Sequence, residues 1–432
     1  MSPIKISPRS IKRHYEALDA IGAVPAGGFY RPGYSAAESA AHCYVEEAAI
    51  EAGLMVRRDA AGNLIVETPG DYSEWIETGS HMDTVPGGGN YDGVAGVVAG
   101  LEAIRSVLDS ATKLQRGLRL RAWRAEESAT FGIASIGSRA AFGMLPADSL
   151  QRMNEGCSLA ECMRMQGADS DVVQHGEPAL SEAERAGIAA YIELHIEQGC
   201  VLEREDADVG IVTGIRGSER AWVKIRGAFD HSGTTPMGEA RCDANLAMAY
   251  ILVEIDKMAM EAVRAGEDIV QTTGVINSDD GMNEANPETH DNAVSKVSGF
   301  AYFSHEVRGC NPAVVRHFAE RVHERMRKVA KEFGVEIGIE TFSLLPGIAT
   351  LDSKLQGLLE TCSREAGVSS MWLPSGAWHD AGVLHGAGVP VAMLFVPSRG
   401  GVSHSPEEFT SHEQIAIGAT VLAHAMLRLA TF

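Results

Sequence analysis

At 432 residues and 46.0 kDa the chain exceeds what one ordinary hydrophobic core organises, so two domains are expected, with ample apolar material to bury. Hydrophobic residues at 45% and charged residues at 22% exclude a disordered or fibrous chain. A formal charge of −21 excludes a surface built to release counterions from phosphate, so neither nucleic acid nor an anionic membrane is an expected partner.

From Ser35 to Gly53 the apolar spacing predicts a helix, and from residue 62 to 213 short apolar strands alternate with helices, the rhythm of a mostly parallel α/β layer. Candidate strands end at Ser80, Ala125, Leu194 and Val396, each followed by histidine, acidic residues or a glycine-rich loop. In open parallel sheets ligands bind beyond the carboxyl ends of the strands, so these loops are the functional candidates.

From about Arg216 to Ser343 the order changes: strand Arg220 to Arg226, helix Asp243 to Ala265, strands Ile269 to Ile276 and Ala293 to Phe303, helix Pro312 to Phe333, then a strand. This is a βαββαβ domain inserted into the first, because a strand and His404 with catalytic character follow it. The expected division is 1–215 with 344–432 for the catalytic domain and 216–343 for the insertion. Seven scattered cysteines without CxxC spacing, and no stretch of roughly 18 uncharged apolar residues, predict a cytoplasmic protein.

Four strings carry chemistry. In Gly79-Ser80-His81-Met82-Asp83, a histidine at a strand end supplies an imidazole nitrogen. Asp83 can accept the other ring N–H, and Asp92, opening the next helix, can bridge two ions. Taken alone, His81 and Asp83 would cap a turn. In Arg124-Ala125-Glu126-Glu127 adjacent carboxylates repel unless a cation or proton compensates. With Glu127 on a metal, Glu126 is free to take a proton from water acidified there; alone, the pair would read as a charged helix start. His195, in Glu193-Leu194-His195-Ile196-Glu197-Gln198-Gly199, and His404 each follow a strand. Three histidines, an aspartate and a glutamate can complete two open sites, with ions about 3.5–4 Å apart across a shared carboxylate.

Together the strings GSHMDTVPGGGNYDG, HIEQG, HSGTTPM and FVPSRGGVSHSPEE, in this order from about Arg31 to Glu408, resemble the hydantoinase/carbamoylase family of di-zinc amidohydrolases, within the aminoacylase and carboxypeptidase superfamily. The resemblance implies that His81 and His195 hold one ion, Glu127 and His404 the other, and that Asp92 bridges them. Glu126 matches the family's catalytic base and His231, in HSGTTPM, the histidine that stabilises the oxyanion. Asn292 and Arg308 match substrate-carboxylate anchors, and Gln198 a substrate contact. It further implies two divalent ions, zinc in the first place with manganese, cobalt or nickel as substitutes, a small carboxylated amide or ureido substrate, and a homodimer formed through the inserted lid and dimerisation domain. The expected reaction is hydrolysis of a linear C–N bond, most simply in an N-carbamoyl-L-amino acid; an N-acyl amino-acid hydrolase or small-peptide peptidase would use the same metals. Where the family has SGAGHDA this chain has Ser375-Gly376-Ala377-Trp378-His379-Asp380-Ala381, so an indole replaces a glycine.

Overall fold

The structure, a computed structural model, describes residues 4–146, 148–174, 176–238, 241–278 and 292–431. The chain divides into two compact units, Met1–Thr213 with Thr350–Phe432, and Gly214–Ala349. The second joint lies six residues beyond the expected one. The last strand of the insertion runs on to Leu345, and an Ile215–Ile348 bridge closes its ends on each other.

The large unit is built on eight strands in the order Met55–Arg58, Leu64–Glu67, Gly117–Trp123, Trp75–His81, Ile188–Ile196, Val391–Val396, Val209–Ile215, Ser370–Ser375. Its four central strands pair in parallel. The expected mostly parallel sheet is therefore confined to the centre: Leu64–Glu67 pairs antiparallel with both of its neighbours, and Val209–Ile215 antiparallel with Val391–Val396. The outer strands need no crossover helix, whereas the central ones are buried on both faces; Val391–Val396 is an unbroken apolar run, and the others carry buried charged groups such as Glu77, Arg119, Arg121 and Glu193. All seven residues of Gly117–Trp123 and all six of Val391–Val396 are buried.

Helix Val94–Asp109 packs against the centre of this sheet, together with His412–Thr431. The latter is long and apolar enough to match a membrane span by composition, yet Ile415, Ala419, Leu422 and Met426 lie in the core. Parallel pairing sets His81 beside Trp123 and His195 beside Phe395, which brings the carboxyl ends of the central strands to one edge.

The second unit is an antiparallel sheet in which Phe300–Gly309 and Gly217–Arg226 run side by side and Glu336–Leu345 forms an edge. Helices Ala244–Arg264 and Pro312–Glu332 bury Ile251, Ile255, Phe318 and Val322 against Val223, Ile225, Phe303 and Val307. The alternation of buried and exposed residues along the strands gives this sheet one covered face.

Candidate metal centre

His81, His195, Glu126 and Glu127 sit at or just past strand ends, while Asp92 lies just before helix Val94–Asp109 and His404 in the loop after Val391–Val396. Trp75–His81 finishes on His81, Ile188–Ile196 carries His195 as its penultimate residue, and Glu126 and Glu127 follow Gly117–Trp123 after a turn. That turn places Ala125 at φ 50, and Gln198 and His404 are likewise left-handed at φ 55 and φ 54. Non-glycine residues adopt this conformation at a cost and keep it only where neighbours enforce it. For Ala125 the enforcing group is buried Glu38, whose carboxylate accepts the Ala125 N–H at 2.8 Å and also holds Arg124.

Asp92 lies at the centre. His195 Nε2 stands 3.1 Å and His81 Nε2 3.6 Å from Asp92 Oδ1, while His404 Nε2 stands 3.1 Å from Oδ2 and 3.1 Å from Glu127 Oε1. One carboxylate thus divides its two oxygens between two sets of ligand-type atoms. In each of the trios His81, Asp92, His195 and Asp92, Glu127, His404 the donor atoms lie within 4.8 Å of one another, and so do those of His81, Glu126, Glu127.

The ring orientations are fixed from behind. His81 Nδ1 lies 3.1 Å from the Asp83 carbonyl and 3.3 Å from its carboxylate, and His195 Nδ1 lies 2.9 Å from the Ile196 carbonyl. Both rings therefore turn Nε2 toward Asp92, and the buried Nε2 of His195 makes no hydrogen bond despite its nearness to that carboxylate. An unpartnered buried imidazole nitrogen beside a carboxylate, in a set of histidine and carboxylate donors, fits a divalent cation. Gly93, at φ 69, makes room: a Cβ there would lie 2.6 Å from three atoms of the His81 ring.

The electrostatics agree. Burial opposes charge on Asp92, but the imidazoles of His195, His404 and His81 beside it hold it well below the usual carboxylate range. Burial likewise opposes protonation of His81, yet Asp83 and Asp92 raise it well above the ordinary histidine value. His404 is raised to about 10, by Asp92 first and Glu127 next. Glu126, buried and accepting the Ser135 hydroxyl at 3.1 Å, is pushed well above the usual range, chiefly by burial and further by Glu127.

Asp83 does more than face His81. Its two carboxylate oxygens accept the backbone N–H groups of Glu126 and Glu127, each at 3.0 Å, which fixes where both glutamates start. Gln198 donates to Asp92 Oδ2 at 2.7 Å and to Ser403 at 3.2 Å, so its amide is spent on the cluster. His379 packs its ring 4.4 Å from that of His195 and bonds Ser375 at 2.8 Å; burial pushes it well below the ordinary histidine value. Trp378 turns its indole onto Gly382, with its N–H buried and unpartnered.

Three expected residues belong to the second unit. His231 is exposed; its Nδ1 accepts the N–H groups of Gly233 and Thr234 at 3.1 Å each, which leaves Nε2 as the N–H donor. Arg308 pairs with Glu306 at 3.0 Å, and Glu306 also pairs with Arg220 at 2.7 Å. Asn292 turns its amide N–H bonds to the carbonyls of Ser278 and Phe300 and so presents no free donor in this conformation.

Asp83 apart, sequence reasoning missed the carboxylates behind the candidate ligands. Glu408 binds the backbone of both Asp92 and His404; Glu193 accepts from Ser80 at 3.0 Å and Ala381 at 2.8 Å. Their signal was present: Glu193 stands two residues before His195 on the same strand face, and Glu408 four residues after His404.

The sequence profile of peptidase family M20/M25/M40 matches residues 78–428. An N-carbamoyl-L-amino acid amidohydrolase of Geobacillus stearothermophilus is 36% identical over 420 residues, 96% of either chain. An allantoate amidohydrolase of Escherichia coli is 32% identical over 418 residues, again 96% of either chain. In three dimensions the chain resembles the crystal structure of a hydantoinase/carbamoylase family amidase from Burkholderia multivorans, with a TM-score of 0.88, 27% identity and 99% of both chains covered.

Proposed function

From the premise that the chain belongs to peptidase family M20/M25/M40, and within it to the hydantoinase/carbamoylase amidases, we propose that it is a metal-dependent hydrolase of a linear amide or ureido C–N bond in a small carboxylated substrate. The simplest substrate is an N-carbamoyl-L-amino acid, giving the amino acid, carbon dioxide and ammonia. The observation that carries the reading is the division of the Asp92 oxygens between His81 with His195 and Glu127 with His404.

His81, His195 and Asp92 would hold one ion and Asp92, Glu127 and His404 the other, with zinc suited to these nitrogen and oxygen donors. Ions there supply Lewis-acid polarisation of the scissile carbonyl and lower the pKa of water. Glu126, buried beside Glu127 and tied to Ser135, takes the proton of the attacking water and returns it to the leaving nitrogen. His231 donates from Nε2 to the developing oxyanion, a role its bonded Nδ1 prepares. Arg308 orients the substrate carboxylate through a planar fork, with Gln198 and Asn292 as further contacts once their present bonds are exchanged.

The inserted unit is assigned to lid and dimerisation roles. Support comes from an exposed apolar stripe, Leu246, Tyr250, Val253, Met260 and Val263, along helix Ala244–Arg264, and from the strand edge Glu336–Leu345. A second copy of the chain would cover that stripe. The seven cysteines are all free thiols, which suits the cytoplasm.

The test is a panel of N-carbamoyl-L-amino acids, β-ureidopropionate, allantoate and N-acyl amino acids, with ammonia and free amine both measured. Ammonia release that chelation abolishes is the expected result. Free amine without ammonia would move the chain to the acylase or peptidase reading.

Arg308→Ala should raise KM for a carboxylated substrate about 10- to 100-fold, the loss of a charge-assisted contact. Equal loss on a carboxylate-free amide would remove Arg308 from substrate binding. The raised His404 gives a pH prediction. In the metal-free chain its pairing contributes stability that is complete below its unfolded value of about 6.5 and is lost as pH rises through about 10. A divalent ion must displace that proton, so apparent affinity climbs with pH across this window. Calorimetric titration of zinc into stripped protein, in buffers of different ionisation enthalpy near neutral pH, should report net proton release; none would count against His404 as a ligand.

A further inference from the structure

Glu408 is a buried carboxylate with four donors arriving from two distant loops. Its Oε1 accepts the backbone N–H groups of Tyr91 and Asp92 at 3.0 Å each. Its Oε2 accepts the Ser403 hydroxyl at 2.9 Å and the His404 N–H at 3.3 Å. The side chain is 4% exposed, and Gly89 admits it: a Cβ at that glycine would lie 2.3 Å from Oε1. Asp92 and His404 are 312 residues apart in sequence, and one carboxylate sets the backbone of both. His404 moreover sits at φ 54, a conformation held only where something enforces it.

We propose that Glu408 is a positioning residue that sets the occupancy of one half of the centre, that of Asp92, Glu127 and His404, and leaves the half of His81 and His195 largely to itself. This rests on the two-ion reading above. The asymmetry follows from hydrogen-bond chemistry. In Glu408→Gln the amide oxygen can still accept from Tyr91 and Asp92, while the amide NH2 then faces the His404 N–H, donor against donor. The opposite rotamer would oppose two backbone donors and is disfavoured. His404 therefore loses its clip while Asp92 keeps its own. His81 and His195 are oriented by Asp83 and Ile196 and do not touch Glu408. Groups behind metal ligands typically contribute 10- to 100-fold in affinity, so about that loss is expected for one ion.

The experiment titrates zinc into chelator-stripped full-length protein against a chromophoric chelator, for wild type, Glu408→Gln, His404→Ala and Gly89→Ala. Wild type should bind two ions. Glu408→Gln should keep one with wild-type affinity and bind the other about 10- to 100-fold more weakly, and the retained ion should match the one that survives in His404→Ala. Gly89→Ala displaces the whole carboxylate, Oε1 included, so it also frees the Asp92 backbone; if Glu408→Gln proves unstable, this variant should weaken both ions, the one at His404 the more. Two ions held as in wild type, or both weakened equally as a general loosening would do, overturns the proposal. Fewer than two ions in the wild type overturns the two-ion reading instead.

Discussion

Glu126→Gln should yield a folded, metal-loaded protein whose kcat is about 10²- to 10⁴-fold below wild type, the range spanned by removal of a general base. That is about 2.7–5.4 kcal/mol of barrier at 1.36 kcal/mol per tenfold. The reasoning is positional. Glu126 is buried, fixed at its backbone by Asp83 and at its side chain by Ser135, and close to His81 and Glu127 without being shared as Asp92 is. The amide is nearly isosteric and retains the acceptor for Ser135, so packing and metal content should persist while the proton acceptor is lost. KM should change little beside kcat. Near wild-type turnover, with zinc content measured on the same sample, would take the base role away from Glu126.

Asp92→Ala should have the largest effect of any single substitution: both ions lost on dialysis against a chelator that leaves wild type loaded, and turnover reduced on the order of 10⁴-fold or more. No other carboxylate in the cluster faces His81, His195 and His404 at once. Without it one half is reduced to two histidines and the other to Glu127 with His404, below the three protein ligands an open catalytic zinc site uses. Retention of one tightly held ion would show that the halves are independent and that Asp92 does not bridge.

Much of this candidate site was legible because four of its proposed residues lie at or just past strand ends. A histidine or acidic pair directly after an apolar run is visible in sequence, and parallel strands place such ends on one edge. His81, Glu126, Glu127 and His195 were found in that way, and His404 from the loop that follows its strand. The change of rhythm to long amphipathic helices after residue 216 is local and was legible too, but the strand expected over Ala293–Phe303 lies at Phe300–Gly309, and Ile269–Ile276 holds the short strand Val270–Thr272 and the start of Ile276–Asn277. The extent of parallel pairing was not: Leu64–Glu67 is fully buried like a central strand, and only its partners reveal it as antiparallel.

What the sequence alone determined is the chemistry available, namely three histidines, an aspartate, adjacent glutamates and the order of elements that carries them. How these groups are held is set by long-range contacts of the folded chain. That Asp83 accepts the N–H groups of both glutamates, that Glu408 joins Tyr91 and Asp92 to His404, and that Glu38 sustains the turn at Ala125 are contacts across 43, 316 and 87 residues. Such pairings leave no periodic trace, because a buried carboxylate takes its partners from whichever loops the sheet brings to that edge.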